Sequence, residues 1–402
     1  MESQRSFLFI GLLLVSFLLW QQWQIDYGPK PVTTQEATTT DSVPSANVSS
    51  DVAAANSDVP ASSNDQSVVN SPGVQREFIK VETDTLSLVI DTLGGDIVSA
   101  KLLQYPVDIE SDDPTVILSS EAELLYTAQS GLVGGAGPDS NPKGRPIYIA
   151  SQTEYFLEND QLIVPLNYVS EDGIRYTKSF IFAKNSHSIE VKYNVTNSTS
   201  SAISFQQFAQ LKQKIGRKGG SMFMPTYRGS AYSTDEERYE KFDFPDYEDE
   251  DLRVTTMGGW VAMIEHYFVS AWVPPQEESN TITTRFLNGE QAVIGYTGKS
   301  ITLAAGTSGT VSSFLYVGPK DQEVLASLAP NLNYTVDYGF LWWISEPLFK
   351  LLSYIQSFVS NWGAAIIIIT IFVKGLMYPL TKAHLPWFLL NLPRTTLGIS
   401  SQ

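Results

Sequence analysis

The stretch FIKVETDTLSLVID, residues 78–91, sets the fold. Apolar and polar side chains alternate along it, with Ile79 and Val81 set against Lys80 and Glu82. A period of two is that of a β-strand with one buried face. The texture returns in IEVKYNVTN (189–197), AISFQQFAQL (202–211) and TITTRFLNGEQAVIGYTG (281–298). Turn signals punctuate these stretches: LGGD (Leu93–Asp96), EDG (Glu171–Gly173) and LNGE (Leu287–Glu290). Between Arg76 and Gly318 almost no long 3.6-residue period intervenes. About 240 residues of short strands predict a large antiparallel sandwich rather than a small barrel.

Three segments inside this region invite a chemical reading. STDEERYEKFDFPDYEDED (Ser233–Asp251) gathers acidic residues around aromatics. Calcium loops need oxygens at short fixed spacing around a glycine, which this segment lacks, so a solvated insertion is favoured over a cation or partner site. GLVGGAGP (Gly131–Pro138) has glycines too irregularly spaced for a phosphate cradle, and no GK[ST] follows; it is expected to be a flexible loop. KQKIGRKGG (Lys212–Gly220) is a local basic patch without a motif.

Composition narrows the function classes. The chain has 402 residues, 43 acidic and 26 basic, for a formal net charge of −17. That balance argues against nucleic acid as a partner. Cysteine is absent, which removes disulfides, thiolate metal sites and a thiol nucleophile. With three histidines (His187, His266 and His384), a His-rich metal centre is not expected. No catalytic residue, metal or cofactor is assigned.

Two apolar islands flank the β region. FLFIGLLLVSFLLW (Phe7–Trp20) follows Arg5 and spans, with Trp23, about 17 residues, the lower limit for a membrane helix. No small-x-small cleavage site follows, so an uncleaved signal-anchor over residues 1–27 is favoured over a cleaved peptide. Trp20 and Trp23 read as interfacial anchors. Residues 28–75, rich in Ser, Thr, Ala, Asp and Pro, read as a disordered tether. After the sandwich (76–320), DQEVLASLAPNL starts a short helix capped by Asp321. Leu348, Leu351, Leu352, Ile355, Phe358 and Val359 then form one helical stripe, with Pro347 at its start. With Trp342 and Trp343 before it, the 321–360 region is expected to carry a helix lying along the membrane surface, with packing on the sandwich as the alternative.

The second island, 361–383, contains AAIIIITIFVKGLMYPLTKA (Ala364–Ala383). Its length matches a bilayer core of roughly 30 Å. Lys374 interrupts it. A lysine at a helix centre costs about 2.5–3.5 kcal/mol on insertion scales. One reading places the cytosolic boundary at Lys374, beside Lys382. The other notes Thr370 one turn before, Tyr378 one turn after and Thr381 beyond, all on the lysine's face. That polar stripe favours a water-filled cavity between helices.

TVDYGFLWWISEPLFKLL (335–352), NWGAAIIIITIFVKGLMYPLTKA (361–383), GGWVAMIEHYFVSAWVP (258–274), TLGGDIVSA (92–100) and LYVGPKDQEV (315–324) closely resemble the YidC membrane protein insertases of Gram-negative bacteria. The resemblance runs from the N-terminus to about Ala383. It implies an inner-membrane, multi-pass protein with a cytoplasmic N-terminus, a periplasmic β-supersandwich and a five-helix core enclosing a hydrophilic groove. Lys374 falls on the position of the family's basic groove residue, often arginine, and Thr370 on a groove-lining one. Implied partners are nascent inner-membrane proteins, components of the Sec translocon and the phospholipid bilayer. Residues 384–402, HLPWFLLNLPRTTLGISSQ, depart from the family, which continues into a charged hairpin and four more membrane helices. Pro386 and Pro393 are expected to break any long helix there. The departure reads as a truncation, and it puts ribosome contact and autonomous insertion in doubt. Two rivals stand beside the insertase reading: a membrane-tethered scaffold docking translocon components, and a periplasmic carbohydrate-active protein. The latter needs a convergent acid/base pair; Glu265 and His266, adjacent on an expected strand, would face opposite sides.

Overall fold

A computed structural model describes residues 59–60, 76–108, 110–215, 228–249, 251–336 and 342–390. The N-terminal island with Trp20 and Trp23, most of 28–75 and the tail beyond 390 lie outside these, as do the side chains of Trp342 and Thr381.

Twenty strands follow one another in the described residues. The first ten are β1 (Phe78–Glu82), β2 (Leu86–Asp91), β3 (Asp96–Pro106), β4 (Pro114–Leu118), β5 (Tyr126–Val133), β6 (Ile149–Ala150), β7 (Glu154–Phe156), β8 (Gln161–Val169), β9 (Arg175–Ala183) and β10 (Ser188–Thr196). The rest are β11 (Ile203–Lys214), β12 (Gly229–Ser233), β13 (Glu240–Phe242), β14 (Arg253–Met257), β15 (Trp260–Ile264), β16 (Phe268–Val273), β17 (Ser279–Leu287), β18 (Gln291–Gly298), β19 (Ile301–Leu303) and β20 (Ser308–Pro319). They form two sheets. The larger has eleven strands in the order β14-β17-β18-β11-β5-β3-β2-β1-β7, with β19 on β11 and β4 on β3. The smaller has nine, in the order β13-β12-β15-β16-β20-β10-β9-β8-β6. Pairing is antiparallel except for the short β1–β7 pair, which is parallel. The sandwich read from the alternation is therefore present.

Alternation explains which face is buried. In β9, Tyr176, Lys178, Phe180 and Phe182 are buried between less buried neighbours, and in β10 Ile189, Val191, Tyr193 and Val195 are. All of these but Lys178 meet Ile79, Val81, Leu88, Ile90, Ile97 and Leu211 of the larger sheet in the main core. β15 and β5 are buried on both faces, so each needs a cover on its outer side. For β15 the cover is helix α1 (Gln322–Leu328) and the 3-10 turn after it. Leu325, Ala329 and Leu332 pack on Trp260, Ala262, Ile264 and Tyr316. The Trp260 indole Nε1 donates to the Pro330 carbonyl at 3.0 Å. The Asp321 side chain caps α1, accepting from the backbone N–H groups of Glu323 and Val324.

Several local expectations change. Gly131–Pro138 is not a loose loop: Gly131 to Val133 complete β5, and the following turn closes on a 3-10 helix (Pro138–Ser140) whose Asp139 is wholly buried. Glycine is needed there because a Cβ at Gly131 would overlap the Asp139 carboxylate. Glu265 and His266 occupy the turn between β15 and β16 rather than a strand, and Glu265 pairs with Arg228 at 3.3 Å. The acidic segment is tied down by its aromatics: Phe242 and Tyr247 are buried, stack edge-to-face, and the Tyr247 hydroxyl bonds Ser230 at 2.7 Å. Within the tether, Val59 is buried, 5% exposed.

Two helices end the described chain, α2 (Trp342–Val359) and α3 (Trp362–Leu390). Pro347 sits inside α2, not at its start, and both Trp342 and Trp343 belong to the helix. The helix begins a turn earlier because proline removes only the N–H that would reach the Trp343 carbonyl, leaving the turns on either side intact. α3 runs past Pro386 to Leu390, beyond the boundary drawn at Ala383. A proline forfeits one backbone bond, and within an apolar helix the remaining ladder outweighs that loss.

Candidate functional site

The candidate site is built on α2 and α3. Their connection is short: Ser360 takes a left-handed φ of 54° and its N–H reaches the Gln356 carbonyl at 2.7 Å, closing α2. Asn361 opens α3, its Oδ1 accepting from the Ala364 N–H at 3.1 Å. The two helices contact each other. Both expose apolar surface that water would not tolerate as a continuous patch. On α2, Phe349, Phe358 and Trp343 are exposed; on α3, Ile366, Ile367, Ile371, Phe372, Leu376 and Met377 are. Trp362–Pro379 is the one window among the described residues long and apolar enough to cross a membrane.

Lys374 is exposed on this apolar helix, and no ion pair to it exists among the described residues. It lies roughly 18 Å along the axis from Trp362 and roughly 24 Å from Leu390, so near the middle of α3. Thr370 stands one turn before. Its Oγ1 donates to the Ile366 carbonyl at 2.7 Å, which spends its proton on the helix and leaves the oxygen's lone pairs outward as acceptors. Tyr378, one turn after Lys374, is exposed too. The stripe is thus a cation flanked by two hydroxyls on a surface otherwise of hydrocarbon.

A second polar centre lies within the sandwich, where sequence reading placed none. β3 and β5 are joined at a single pair, Ile97 with Ala128, and cations fill the space beside it. Arg145 binds Asp96 through both terminal nitrogens, and its Nε donates to Asp139 Oδ1 at 2.7 Å. Arg145 Nη2 also reaches the Ser130 carbonyl at 3.2 Å. Lys178, fully buried, crosses from the smaller sheet to donate to the carbonyls of Gly94 at 3.0 Å and Ser130 at 2.9 Å. Burial works against the Arg145 charge, but Asp96 and Asp139 outweigh it and raise its pKa well above the ordinary value. Burial pushes the Asp139 carboxyl up, Arg145 opposing. Burial holds the Lys178 ammonium down to about 7. Lys178 could have been suspected, since it stands in phase with Tyr176, Phe180 and Phe182. Arg145 and Asp139 come from aperiodic loops and carry no such signal.

Beside the buried Asp139 opens a cleft of about 790 Å³, lined by Gly134–Pro138, Ser140–Pro142, Tyr168, Ser170, Asp172 and Tyr176 among others. Asp172 is the one carboxylate in its lining, so the acid/base pair that sugar hydrolysis requires is not assembled there.

Residues 78–351, from β1 into α2, match the family model of the YidC periplasmic domain. A membrane protein insertase YidC of Pseudoalteromonas atlantica is 50% identical over 96% of this chain and 69% of its own length. One of Shewanella pealeana is 48% identical over 96% and 70%. The chain belongs to the YidC membrane protein insertase family. Among solved structures, a galactose mutarotase-like protein of Lactobacillus casei overlaps 60% of this chain and 99% of its own, with 10% identity and a TM-score of 0.41. For a YidC chain the two polar centres divide the molecule: Lys374 belongs to the apolar helix after the periplasmic domain, and the Lys178–Arg145 centre lies inside that domain.

Proposed function

We propose that this chain assists the insertion and folding of inner-membrane proteins, with α3 contributing one wall of a hydrophilic groove. Lys374 and Thr370 face that groove, and Tyr378 and Thr381 continue its polar side. The observation that supports this reading is the place of Lys374: mid-helix, exposed, flanked by hydroxyls and surrounded by hydrocarbon. A charge so placed is expensive in lipid and gains most in a wet cavity. There the ammonium attracts acidic residues of a nascent segment more strongly than bulk water would allow, and the polar wall lowers the desolvation penalty of its tail. The apolar part of the substrate then leaves sideways into lipid. No covalent bond is made or broken.

In this reading the N-terminus is cytoplasmic, the chain crosses the inner membrane more than once, and the sandwich projects into the periplasm, where it docks components of the Sec translocon. α2 lies along the outer membrane surface, with Trp342 and Trp343 as anchors. The experiment is a charge swap at Lys374 in reconstituted vesicles, made in a protein that carries the family's full five-helix core. Lys374→Ala should lower insertion of acidic-tailed substrates roughly tenfold, a loss of about 1.4 kcal/mol. Lys374→Arg should retain it, and Lys374→Glu should favour basic-tailed substrates instead. Undiminished insertion of acidic-tailed substrates by the alanine variant would remove Lys374 from the mechanism.

A further inference from the structure

The region before β1 was expected to run free from the first apolar island to the sandwich, yet one point of it is held. The Val59 side chain is 5% exposed and packs in a small apolar cluster with Val133 of β5 and Phe208 of β11, both buried. Its carbonyl accepts from Arg285 Nη1 of β17 at 3.1 Å, across 226 residues of sequence. Arg285 is itself fixed, Nη2 donating to Gln210 Oε1 at 2.6 Å. Gln210 Nε2 donates to Gln129 at 2.8 Å, and Gln129 Nε2 to Asp96 at 2.9 Å. Asp96 holds Arg145. Val59 therefore sits at the end of a hydrogen-bonded row that crosses β17, β11, β5 and β3 on the outer face of the larger sheet.

The chemistry of the held dipeptide suits docking. Pro60 biases Val59 toward an extended backbone before contact. Proline has no N–H, so nothing there is left without an acceptor when the segment lies down. A β-branched side chain loses little rotamer freedom on burial. The receiving side offers the complement: an apolar floor of Phe208 and Val133, and one positioned guanidinium for a peptide carbonyl.

We propose that Phe208, Val133 and Arg285 form a receptor site for an extended Val-Pro peptide, and that its occupant is this chain's own Val59–Pro60. Docking moves the sandwich's point of attachment from β1 back to Val59.

The chain has no cysteine, so thiol labelling tests this directly on the full chain in vesicles. Val59→Cys is compared with Val169→Cys, a position 58% exposed on β8. Maleimide should label the first at least tenfold more slowly. Adding Arg285→Ala should bring the two rates within about threefold. So should adding Pro60→Gly, which lies outside the sandwich and leaves its folding untouched. Equal labelling of the two parent variants would overturn the proposal, as would protection that survives both Arg285→Ala and Pro60→Gly. Protection that disappears on diluting the protein in the membrane would assign the site to a second copy's segment and overturn the own-chain assignment.

Discussion

Lys178 Nζ lies 2.9 Å from the carbonyl oxygen of Ser130, joining the two sheets through a side chain that has no exposure. The same carbonyl accepts from Arg145. A neutral amine keeps two N–H donors, and Lys178 has two carbonyl acceptors, Gly94 and Ser130. The rings of Phe180 and Tyr193 lie 5.3 and 5.4 Å from the nitrogen. The two carbonyls thus satisfy the neutral amine, whereas the ammonium carries a third N–H and also gives up its hydration.

That asymmetry sets a pH dependence. Burial holds Lys178 down to about 7, against about 10.4 in an unfolded chain. Between those values the unfolded chain binds a proton that the folded chain does not, so stability rises with pH across the window and the penalty is complete below pH 7. The rise is at most about 1.4 kcal/mol per pH unit. Urea midpoints measured from pH 7.5 to 9 should climb in the parent protein and stay nearly level in Lys178→Met. Parallel slopes in the two proteins would assign the rise to other groups.

Gly131 makes a second, sharper test. A Cβ there would displace the Asp139 carboxylate, which holds Arg145 Nε and accepts from the Leu132 N–H at 2.9 Å. Disturbing a buried, paired charge is among the few ways one methyl group destabilises strongly. Gly131→Ala should lose about 3 kcal/mol by denaturant unfolding. A loss under about 1 kcal/mol would mean that the Asp139 loop can shift aside.

Leu325 tests the cover over β15. It is wholly buried against the outer face of the smaller sheet, within the cluster that includes Trp260 and Tyr316. Leu325→Ala should cost about 2–5 kcal/mol. Because Trp260 Nε1 is held by the Pro330 carbonyl just after α1, the variant should also redden tryptophan emission before global unfolding. A small change in stability with unaltered emission would mean that α1 adds little to the sandwich.

Most of the sandwich could be read because its signal is local. In β9 and β10 the inward residues alternate without a break, and the Asn288–Gly289 pair between β17 and β18 takes the positive φ angles a tight hairpin needs. The stripe around Lys374 was legible for the same reason, since residues four apart share a helix face. The buried centre was not: Asp96, Asp139 and Arg145 come from a strand end and two loops, and what joins them is a gap in the β3–β5 ladder. The packed turn after Gly131 was misread because glycines serve equally for freedom and for close approach. Val59 gave no signal, since one valine in a polar segment has no period to betray it.

The last prediction separates membrane integration from activity at Lys374. If α3 crosses the bilayer with its lysine mid-helix, replacing the charge by an apolar side chain should ease integration of the helix by about 3 kcal/mol. Lys374→Leu should therefore be extracted less readily by alkaline carbonate, and α3 should integrate more completely in an insertion assay. If the lysine also serves the groove, the same variant should insert acidic-tailed substrates less well. The two readouts then move in opposite directions, which a merely structural lysine would not produce. Better integration with unchanged insertion would leave Lys374 as a boundary residue that snorkels to the interface. Unchanged integration would place the lysine already at the aqueous edge of the helix.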